Sequence, residues 1–209
     1  MDLRDQRLTY NKSSIDFNQI NIDPFIEFKT WFNAAIESKT VKEPTAMIIS
    51  SVSLELQPSS RVVLLKMITE NGFVFFTNYN SRKGEEISEN QKISVLFFWP
   101  ELEQQIRIHG IVSKISDQDS DEYFYSRPKD SQISAIVSDQ SKKIESKSIL
   151  ELKVKELEQS TFLKRPENWG GYEIKPHYFE FWQGRPNRLH DRVYFEFVNN
   201  EWKKGLLQP

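Results

Sequence analysis

The side chains best suited to chemistry are concentrated in residues 181–192, which contain three arginines, a histidine, a carboxylate and a tryptophan. The segment separates two β-like runs, so strands are predicted to hold it at both ends. Alternate residues of a regular strand share a face, so Arg188, His190 and Arg192 are predicted to project together while Leu189 turns toward the core. Guanidinium groups pair with phosphate and stack on rings, which suits a planar anionic ligand. A solvated hairpin with surface ion pairs is the alternative interpretation.

Two further cations, Arg61 and Lys66, stand at the ends of an apolar run. If this run is a regular strand, the odd separation of the two residues places their side chains on opposite faces. We therefore expect them to contact two different anions. The alternative is that both are charged strand ends that face water.

Residues 76–83 are predicted to lead from a strand through a turn into a helix over residues 84–89. Ser81 has the residue type of a helix N-cap, and it directly precedes Arg82 and Lys83. Free backbone N–H groups and the helix dipole would meet two cations there. The pattern is typical of a phosphate site that has no glycine-rich loop.

Tyr123, Arg127 and Ser131 follow one another at separations of four, so they would share one face of a helix. Pro128 interrupts that helix, but Ser131 could still begin the next one and contact the same anion. The sequence therefore predicts a third anion-binding element in this region.

The pair Gln140 and Ser141 lies in a polar segment between predicted helices, where a surface loop is the ordinary interpretation. The three histidines, His109, His177 and His190, lack the spacing of metal ligands, and no cysteine accompanies them. We expect no structural or catalytic zinc site.

The elements that must position these residues are an early helix, a sheet and a later group of helices. Asp23 and Pro24 are typical of a helix start, and apolar residues at helical spacing continue to about Ser38. Five β-like runs follow, at residues 46–52, 61–68, 73–77, 93–99 and 105–112. After Ser116 the pattern becomes helical through residues 121–126, and again over residues 131–137 and 145–159. Further β-like runs cover residues 178–182, 193–198 and 202–207.

Consecutive strands without long intervening helices indicate an antiparallel sheet that closes into a barrel rather than a doubly wound parallel sheet. Residues 1–22 are polar and lack a clear period, so they are predicted to form an N-terminal arm that could close over an active site. Residues 23–209 are predicted to form a single α+β domain.

Composition limits the classes of function. The chain has 209 residues, 38% of them hydrophobic, and a formal net charge of -2, which argues against a broad basic face for nucleic acid. Without cysteine, any redox chemistry requires a bound cofactor. No apolar run approaches the roughly 20 residues that span a bilayer, and no apolar segment follows the N-terminus. The expectation is a cytoplasmic protein that is neither secreted nor embedded in a membrane.

Taken in order, these motifs resemble the pyridoxamine 5'-phosphate oxidase family over nearly the whole chain. The resemblance is carried by RVVLLK at 61–66, FTNYNSRK at 76–83, YFYSRPKDSQ at 123–132, WGG at 169–171, FWQG at 181–184 and RLHDR at 188–192. It implies an FMN-binding split β-barrel, mainly β, antiparallel and Greek-key-like, with flanking helices. It also implies a homodimer that oxidises pyridoxamine or pyridoxine 5'-phosphate with oxygen to pyridoxal 5'-phosphate, releasing hydrogen peroxide, and ammonia from the amine.

The resemblance also implies roles for individual residues. FMN contacts within one subunit would come from Arg61, Val62, Val63, Leu64, Leu65, Lys66, Phe76, Thr77, Arg82, Lys83 and Gln105. FMN contacts from the partner subunit would come from Gln140, Ser141, Trp182 and Arg192. The substrate phosphate would be bound by Lys66, Tyr123, Arg127 and Ser131. Arg188 and His190 would be the catalytic pair beside the substrate ring, with Leu189 next to them and with Arg7 and Tyr10 on the closing arm.

Two positions depart from the family pattern. Phe76 stands where tyrosine is usual, and Leu206 stands where arginine is common. Two other functions remain open from sequence: a different split-barrel flavin oxidoreductase, and a carrier of FMN or pyridoxal phosphate without enzymatic activity. The phosphate-binding set together with Arg188 and His190 favours the oxidase over the first of these.

Overall fold

The structure, a computed structural model, describes residues 1–6 and 8–209. The described chain divides into two compact units, and each unit is assembled from segments that are separated in sequence. The first unit consists of residues 1–49, 94–110 and 176–209, and the second of residues 50–93 and 111–175. The assignment of residues 23–209 to a single domain remains a prediction.

The strands that the structure describes form one nine-stranded sheet. They are β1 (Ala46–Val52), β2 (Pro58–Leu64), β3 (Met67–Ile68), β4 (Phe73–Asn78), β5 (Lys92–Trp99), β6 (Gln104–Lys114), β7 (Trp169–Gln183), β8 (Asp191–Val198) and β9 (Glu201–Leu206). The order is β2-β1-β5-β6-β7-β4-β3, with β8 between β7 and β9. The pairs β3–β4, β4–β7, β7–β8 and β8–β9 are antiparallel, as the strand pattern predicts.

Five α-helices accompany the sheet in the described residues: α1 (Pro24–Glu37), α2 (Arg82–Glu89), α3 (Asp117–Ser126), α4 (Lys129–Val137) and α5 (Lys147–Glu158). The predicted start of α1 is confirmed, since the side chain of Asp23 accepts a hydrogen bond from the N–H of Phe25 at 2.8 Å. The helix predicted to follow Ser116 is α3, and Ser116 caps it by accepting from the N–H of Asp119 at 3.0 Å. Within the described residues, no helix is both long and apolar enough to cross a membrane.

The core of the first unit is built from aromatic side chains on α1 and the strands. Phe28, which is fully buried on α1, meets Phe97 edge to face with ring centroids 5.2 Å apart. Trp31 on the same helix packs against Phe181 of β7 at 5.3 Å. This packing supports the end of β7, which leads into the chemically rich segment after Gln183.

One hydrophobic cluster of the second unit joins α4 to α5. Ile133 and Val137 of α4 pack with Leu163 and with apolar residues of α5. A neighbouring cluster joins Phe124 of α3 to Trp169 at the start of β7. Arg127, the C-cap of α3, is thereby held near the start of β7, and the loop after α4 carries Gln140.

Candidate functional site

The second unit encloses a cavity of about 770 Å³, within the range of about 300–1,000 Å³ that is usual for ligand sites. Thirteen of the predicted site residues line it: Arg61, Val62, Val63, Leu64, Lys66, Phe76, Thr77, Arg82, Lys83, Tyr123, Arg127, Gln140 and Ser141. The cavity therefore combines five cationic side chains with an aromatic wall. Phosphorylated ligands match this mixture, because guanidinium and ammonium groups bind phosphate and rings stack on flat heterocycles.

The run that contains Arg61 and Lys66 differs from the prediction. Strand β2 ends at Leu64, and Leu65 turns inward to become only 4% exposed. The N–H of Lys66 then donates to the carbonyl of Val74 at 2.8 Å, before β3 begins. Because the backbone leaves strand geometry between the two cations, the alternation rule does not extend to Lys66. Arg61 and Lys66 line the same cavity instead of opposite faces.

The N-terminus of α2 has the predicted cap. Ser81 is fully buried, and its hydroxyl accepts from the N–H of Gly84 at 3.4 Å. Lys83, in the first turn, is 7% exposed and donates to Ser81 at 3.2 Å, to Thr77 at 3.1 Å and to Gln140 at 2.8 Å. Burial and the nearby charge of Arg61 lower the pKa of Lys83 to about 8. A bound phosphate would stabilise its charged form.

Gln140 and Ser141 belong to this cavity within the same chain. The side-chain oxygen of Gln140 accepts from Lys83 and also from Thr77 at 3.1 Å. The adjoining loop is tied to β4 because the amide of Asn78 donates to the carbonyl of Ser138 at 3.3 Å. The expectation that Gln140 and Ser141 reach the site from a partner subunit is thus corrected. Polar residues in a loop gave no sign of this placement, which depends on the packing of α4.

Stacked aromatic rings also line this cavity. Phe76 and Tyr123 are nearly parallel with centroids 3.8 Å apart, and Trp169 stacks beyond Phe76 at 5.6 Å. The guanidinium of Arg127 lies over the Trp169 ring, 4.7 Å from its centroid. Trp169 also lines the site, although the sequence indicated it only as part of the WGG motif at residues 169–171.

Arg127 has an unused donor. Its Nη1 is buried and makes no hydrogen bond within the described residues. Burial lowers the pKa of Arg127, and burial raises the pKa of the neighbouring Tyr123 phenol. A buried donor without a partner is unfavourable by about 1–3 kcal/mol or more, so an anionic ligand in the cavity would relieve it.

Ser131 is not among the residues that line the cavity. It lies in the first turn of α4, where its N–H donates to the carbonyl of Pro128 at 2.9 Å. Ser134 and Ser138 line the cavity instead. Ser134 lies one turn after Ser131 on the same helix, so the predicted face was close to the observed one. Contact between Ser131 and substrate remains a prediction.

Glu86 of α2 is a component that the sequence interpretation missed. It is 3% exposed and accepts from Arg61 at 3.1 Å, from Arg82 at 2.9 Å, and from Ser51 and Ser59. Burial alone would raise its pKa, but these four donors lower the pKa to about 2. The only available signal was its position four residues after Arg82 on a helix.

In the first unit, the segment after β7 also departs from the prediction. Residues 186–188 form a 3₁₀ turn, and Arg188 has a left-handed backbone with φ of 62°. Strand β8 begins only at Asp191, so Arg188, His190 and Arg192 do not alternate along one strand. Leu189 is 68% exposed and does not turn toward the core. The proline and the left-handed residues of the turn prevent regular strand pairing here.

His190 lies in an aromatic group with Trp182 and Tyr10. The His190 ring is 4.7 Å from Trp182 and 5.9 Å from Tyr10, measured between centroids. Its Nδ1 accepts from the N–H of Arg185 at 3.1 Å, which leaves Nε2 to carry the proton of the neutral ring. Burial and the charges of Arg188 and Arg192 lower the pKa of His190. The imidazole is therefore predominantly neutral at neutral pH.

Gly184 permits the N-terminal arm to approach this group, because a Cβ there would lie 2.7 Å from Cγ of Tyr10. The amide of Lys12 also donates to the carboxylate of Glu103 at 2.9 Å. The arm is thus attached beside the loop that follows β7. Arg7, the other predicted residue of the arm, lies outside the described residues.

Arg192 pairs with Trp182 across the β7–β8 ladder. Its guanidinium is fixed by Glu180, at 2.9 Å from Nε and 2.8 Å from Nη2, and by the carbonyl of Gln208 at 2.7 Å. Glu180 is 2% exposed and also accepts from Arg107 at 3.0 Å. The predicted FMN contact Gln105 is half-buried on β6 of the same unit. Sequence reasoning did not single out Glu180.

Two family profiles match the chain. The profile described as pyridoxamine 5'-phosphate oxidase matches residues 34–161. The profile described as the pyridoxine 5'-phosphate oxidase C-terminal dimerisation region matches residues 169–209. Together they cover most of the sequence, including the cavity of the second unit and the segment after β7.

Curated relatives match over the full length. A pyridoxine/pyridoxamine 5'-phosphate oxidase from Christiangramia forsetii is 47% identical, with 100% of this chain and 99% of the relative covered. The enzyme of that name from Haemophilus ducreyi is 46% identical, with 100% of both chains covered.

Solved structures share the fold. PhzG from Burkholderia lata 383, in complex with tetrahydrophenazine-1-carboxylic acid, superposes with a TM-score of 0.90 at 30% identity, covering 95% of this chain and 100% of that chain. A pyridoxamine 5'-phosphate oxidase-related, FMN binding protein from Nostoc punctiforme has a TM-score of 0.71 at 14% identity, covering 87% and 96%, and supports the fold alone. The predicted split barrel is confirmed, and the chain belongs to the pyridoxamine 5'-phosphate oxidase family.

Proposed function

We propose that this chain catalyses the FMN-dependent oxidation of pyridoxamine 5'-phosphate and pyridoxine 5'-phosphate by oxygen to pyridoxal 5'-phosphate. The products would include hydrogen peroxide, and ammonia from the amine. One observation carries the proposal: the cavity of the second unit gathers five cations around a stack of aromatic rings. Family membership and the names of the relatives support the same reaction.

The residues of the cavity fit FMN. Arg61, Arg82 and Lys83 would bind its phosphate beside the capped N-terminus of α2, while Thr77 and Gln140 would contact it through hydroxyl and amide groups. FMN, when bound, supplies the hydride-accepting chemistry and the reaction with oxygen.

We assign the substrate phosphate to the remaining two cations of the cavity and the phenol beside them. Lys66, Tyr123 and Arg127 line the cavity, and Arg127 brings the buried Nη1 that has no hydrogen bond within the described chain. Ser131 is retained in this set on the basis of the family motif. A phosphate here would convert an unfavourable buried donor into a charge-assisted hydrogen bond.

Arg188 and His190 are proposed to orient the substrate ring, with Leu189 beside them. Planar guanidinium stacking can hold a ring at a fixed distance from a reaction partner, and such positioning can contribute several kcal/mol to barrier reduction. His190 would act in its neutral form, with its proton on Nε2. Tyr10 and Arg7 of the arm would close over the substrate.

The C-terminal match to a dimerisation region indicates a homodimer. We propose that Trp182 and Arg192 of a partner subunit complete each FMN site, whereas Gln140 and Ser141 contribute from the chain that holds the cavity. A cytoplasmic location is proposed as well, since a chain without cysteine needs no oxidising compartment.

The test is to load the purified protein with FMN and supply pyridoxamine 5'-phosphate in air. We expect aldehyde and peroxide to form in equal amounts. Pyridoxamine without the phosphate is the control substrate and should react far more slowly, because Lys66 and Arg127 would have no anion to bind. Tight binding of both ligands without turnover would identify a carrier instead. Equal rates with and without the phosphate would favour a different flavin oxidoreductase.

A further inference from the structure

A buried carboxylate lies behind the cationic side of the cavity. Glu86 is 3% exposed and does not itself line the cavity, whereas the two arginines that it contacts, Arg61 and Arg82, do. A negative charge beside a proposed phosphate site is at first sight unfavourable, because like charges repel. Its position needs a physical reason.

The two arginines come from different elements. Arg61 is on β2 and Arg82 begins α2, and each of them is bound by a different oxygen of Glu86. Arg61 is further fixed because its Nη1 donates to Ser51. Each guanidinium has five N–H donors, so these contacts leave donors for a ligand.

The side chain of Arg82 is 59% exposed, compared with 19% for Arg61. An exposed arginine samples many rotamers, and ordering one when a ligand binds costs conformational entropy. The bond to Glu86 restricts Arg82 before any ligand arrives. It also offsets the repulsion among Arg61, Arg82 and Lys83, which line one cavity.

We propose that Glu86 is a positioning residue that holds Arg61 and Arg82 in the geometry that receives the phosphate of FMN. The inference rests on the proposed function for the identity of the ligand. Glu86 acts only through the two arginines, so its effect must depend on the phosphate. Riboflavin, which has the same ring system without a phosphate, separates this role from a general role in folding.

The experiment measures dissociation constants of the cofactor-free protein for FMN and for riboflavin by flavin fluorescence. In Glu86→Gln we expect FMN affinity to fall about tenfold, the loss of about one charge-assisted bond, with riboflavin affinity unchanged. Glu89→Gln, an exposed site on the same helix, is the matched control and should match the unaltered protein for both ligands. If Glu86→Gln does not fold, Glu86→Asp provides the second test. It keeps the charge but shortens the side chain, so it should weaken FMN binding and leave riboflavin binding unchanged.

Three outcomes would overturn the inference: tighter FMN binding, unchanged FMN binding, or an equal loss for FMN and riboflavin. The last would assign Glu86 to the fold alone. The unaltered protein provides the separate check on the proposed function. If it does not prefer FMN to riboflavin, the cofactor assignment fails. If the unaltered protein prefers FMN but Glu86→Gln does not change FMN affinity, only the proposed role of Glu86 is contradicted.

Discussion

The charge state of Lys83 makes the proposed cofactor site sensitive to pH. Its pKa of about 8 lies below the model-peptide value because burial and Arg61 disfavour the charged form. FMN phosphate prefers the charged form, so FMN affinity should fall as pH rises through about 8. Fluorescence titrations from about pH 7 to about pH 9 would measure this. Lys83→Met should bind FMN more weakly at pH 7, and its FMN affinity should no longer fall as pH rises through about 8. If the affinity of this variant still falls over the same interval, another group causes the pH dependence.

The same pKa has a consequence for stability. The folded-state pKa of Lys83 lies below that of the unfolded chain, so between about pH 8 and about pH 10 the unfolded state binds more protons. The contribution of Lys83 to stability therefore rises with pH through that interval. It is absent below it, where both states carry the charge.

Arg188 should be intolerant of lysine. Its backbone is left-handed in a 3₁₀ turn, so the position of its side chain is set by the turn and not by a strand. Arg188→Lys should retain FMN and lower turnover strongly, because lysine keeps the charge but lacks the planar stacking surface. Steady-state kinetics beside flavin content would measure both. Turnover near that of the unaltered protein would remove Arg188 from the mechanism.

Arg127 should affect the substrate more than the cofactor. Arg127→Ala removes the buried Nη1 that lacks a partner and the contact with Trp169, and we expect a large rise in the substrate KM with a much smaller effect on FMN affinity. Trp169→Leu should raise KM to a lesser degree, since the guanidinium remains but loses the ring over which it lies. Because Trp169 also packs against Phe124 in the core, the free energy of unfolding of this variant should be measured beside its kinetics. Equal losses of FMN and substrate affinity in Arg127→Ala would mean that the two anion sites were assigned wrongly.

At the scale of elements, local signals predicted most of the structure. The cap and proline that begin α1 and the cap that begins α2 depend on neighbouring residues, so the sequence contains them. The break between β2 and β3 was not predicted, and the turn before β8 extends further along the chain than predicted, through Arg188. The first lies in a stretch whose apolar run fits a continuous strand, and no local residue signals the break. In the second, Pro186 was visible in the sequence, but the left-handed backbone of Asn187 and Arg188 was not.

The N-cap of α2 offers a test at this scale. Ser81→Ala removes the acceptor for Gly84 and for Lys83, and we expect the free energy of unfolding to fall by about 1–2 kcal/mol. FMN affinity should fall too, because Lys83 loses one of the hydrogen-bond partners that hold its ammonium group in place. Urea denaturation would measure the first effect. Ser88→Ala, at an exposed position on the same helix, is the control; an equal loss of stability there would contradict a capping role.

At the scale of the whole molecule, the sequence predicted most residues of the cavity, but it did not predict which of them come from the same subunit. The motifs around Arg61, Lys83 and Arg127 meet in one unit although they are widely separated in the chain. Gln140 joins them, and the family resemblance had placed it in the partner subunit. Periodicity does not report which loops pack together, so the division of the site between subunits could not be derived from sequence.

That division can be tested by mixing inactive subunits. Arg82→Ala alters the cavity of the second unit. Arg192→Gln alters the proposed FMN contact in the first unit, while its amide can still donate to Glu180. If Arg192 serves the FMN site of the partner, a mixed dimer contains one site with both alterations and one site with neither. Random exchange of subunits in equal amounts should then restore about a quarter of the sites.

Flavin fluorescence and turnover, measured before and after mixing and incubation of the two variants, would detect the restored sites. Each variant incubated alone under the same conditions is the control and should remain inactive. If FMN contacts both subunits, dilution should release flavin as the dimer dissociates, because ligand binding and association are thermodynamically linked. A mixture that remains inactive although sedimentation shows mixed dimers would mean that each chain supplies its complete site.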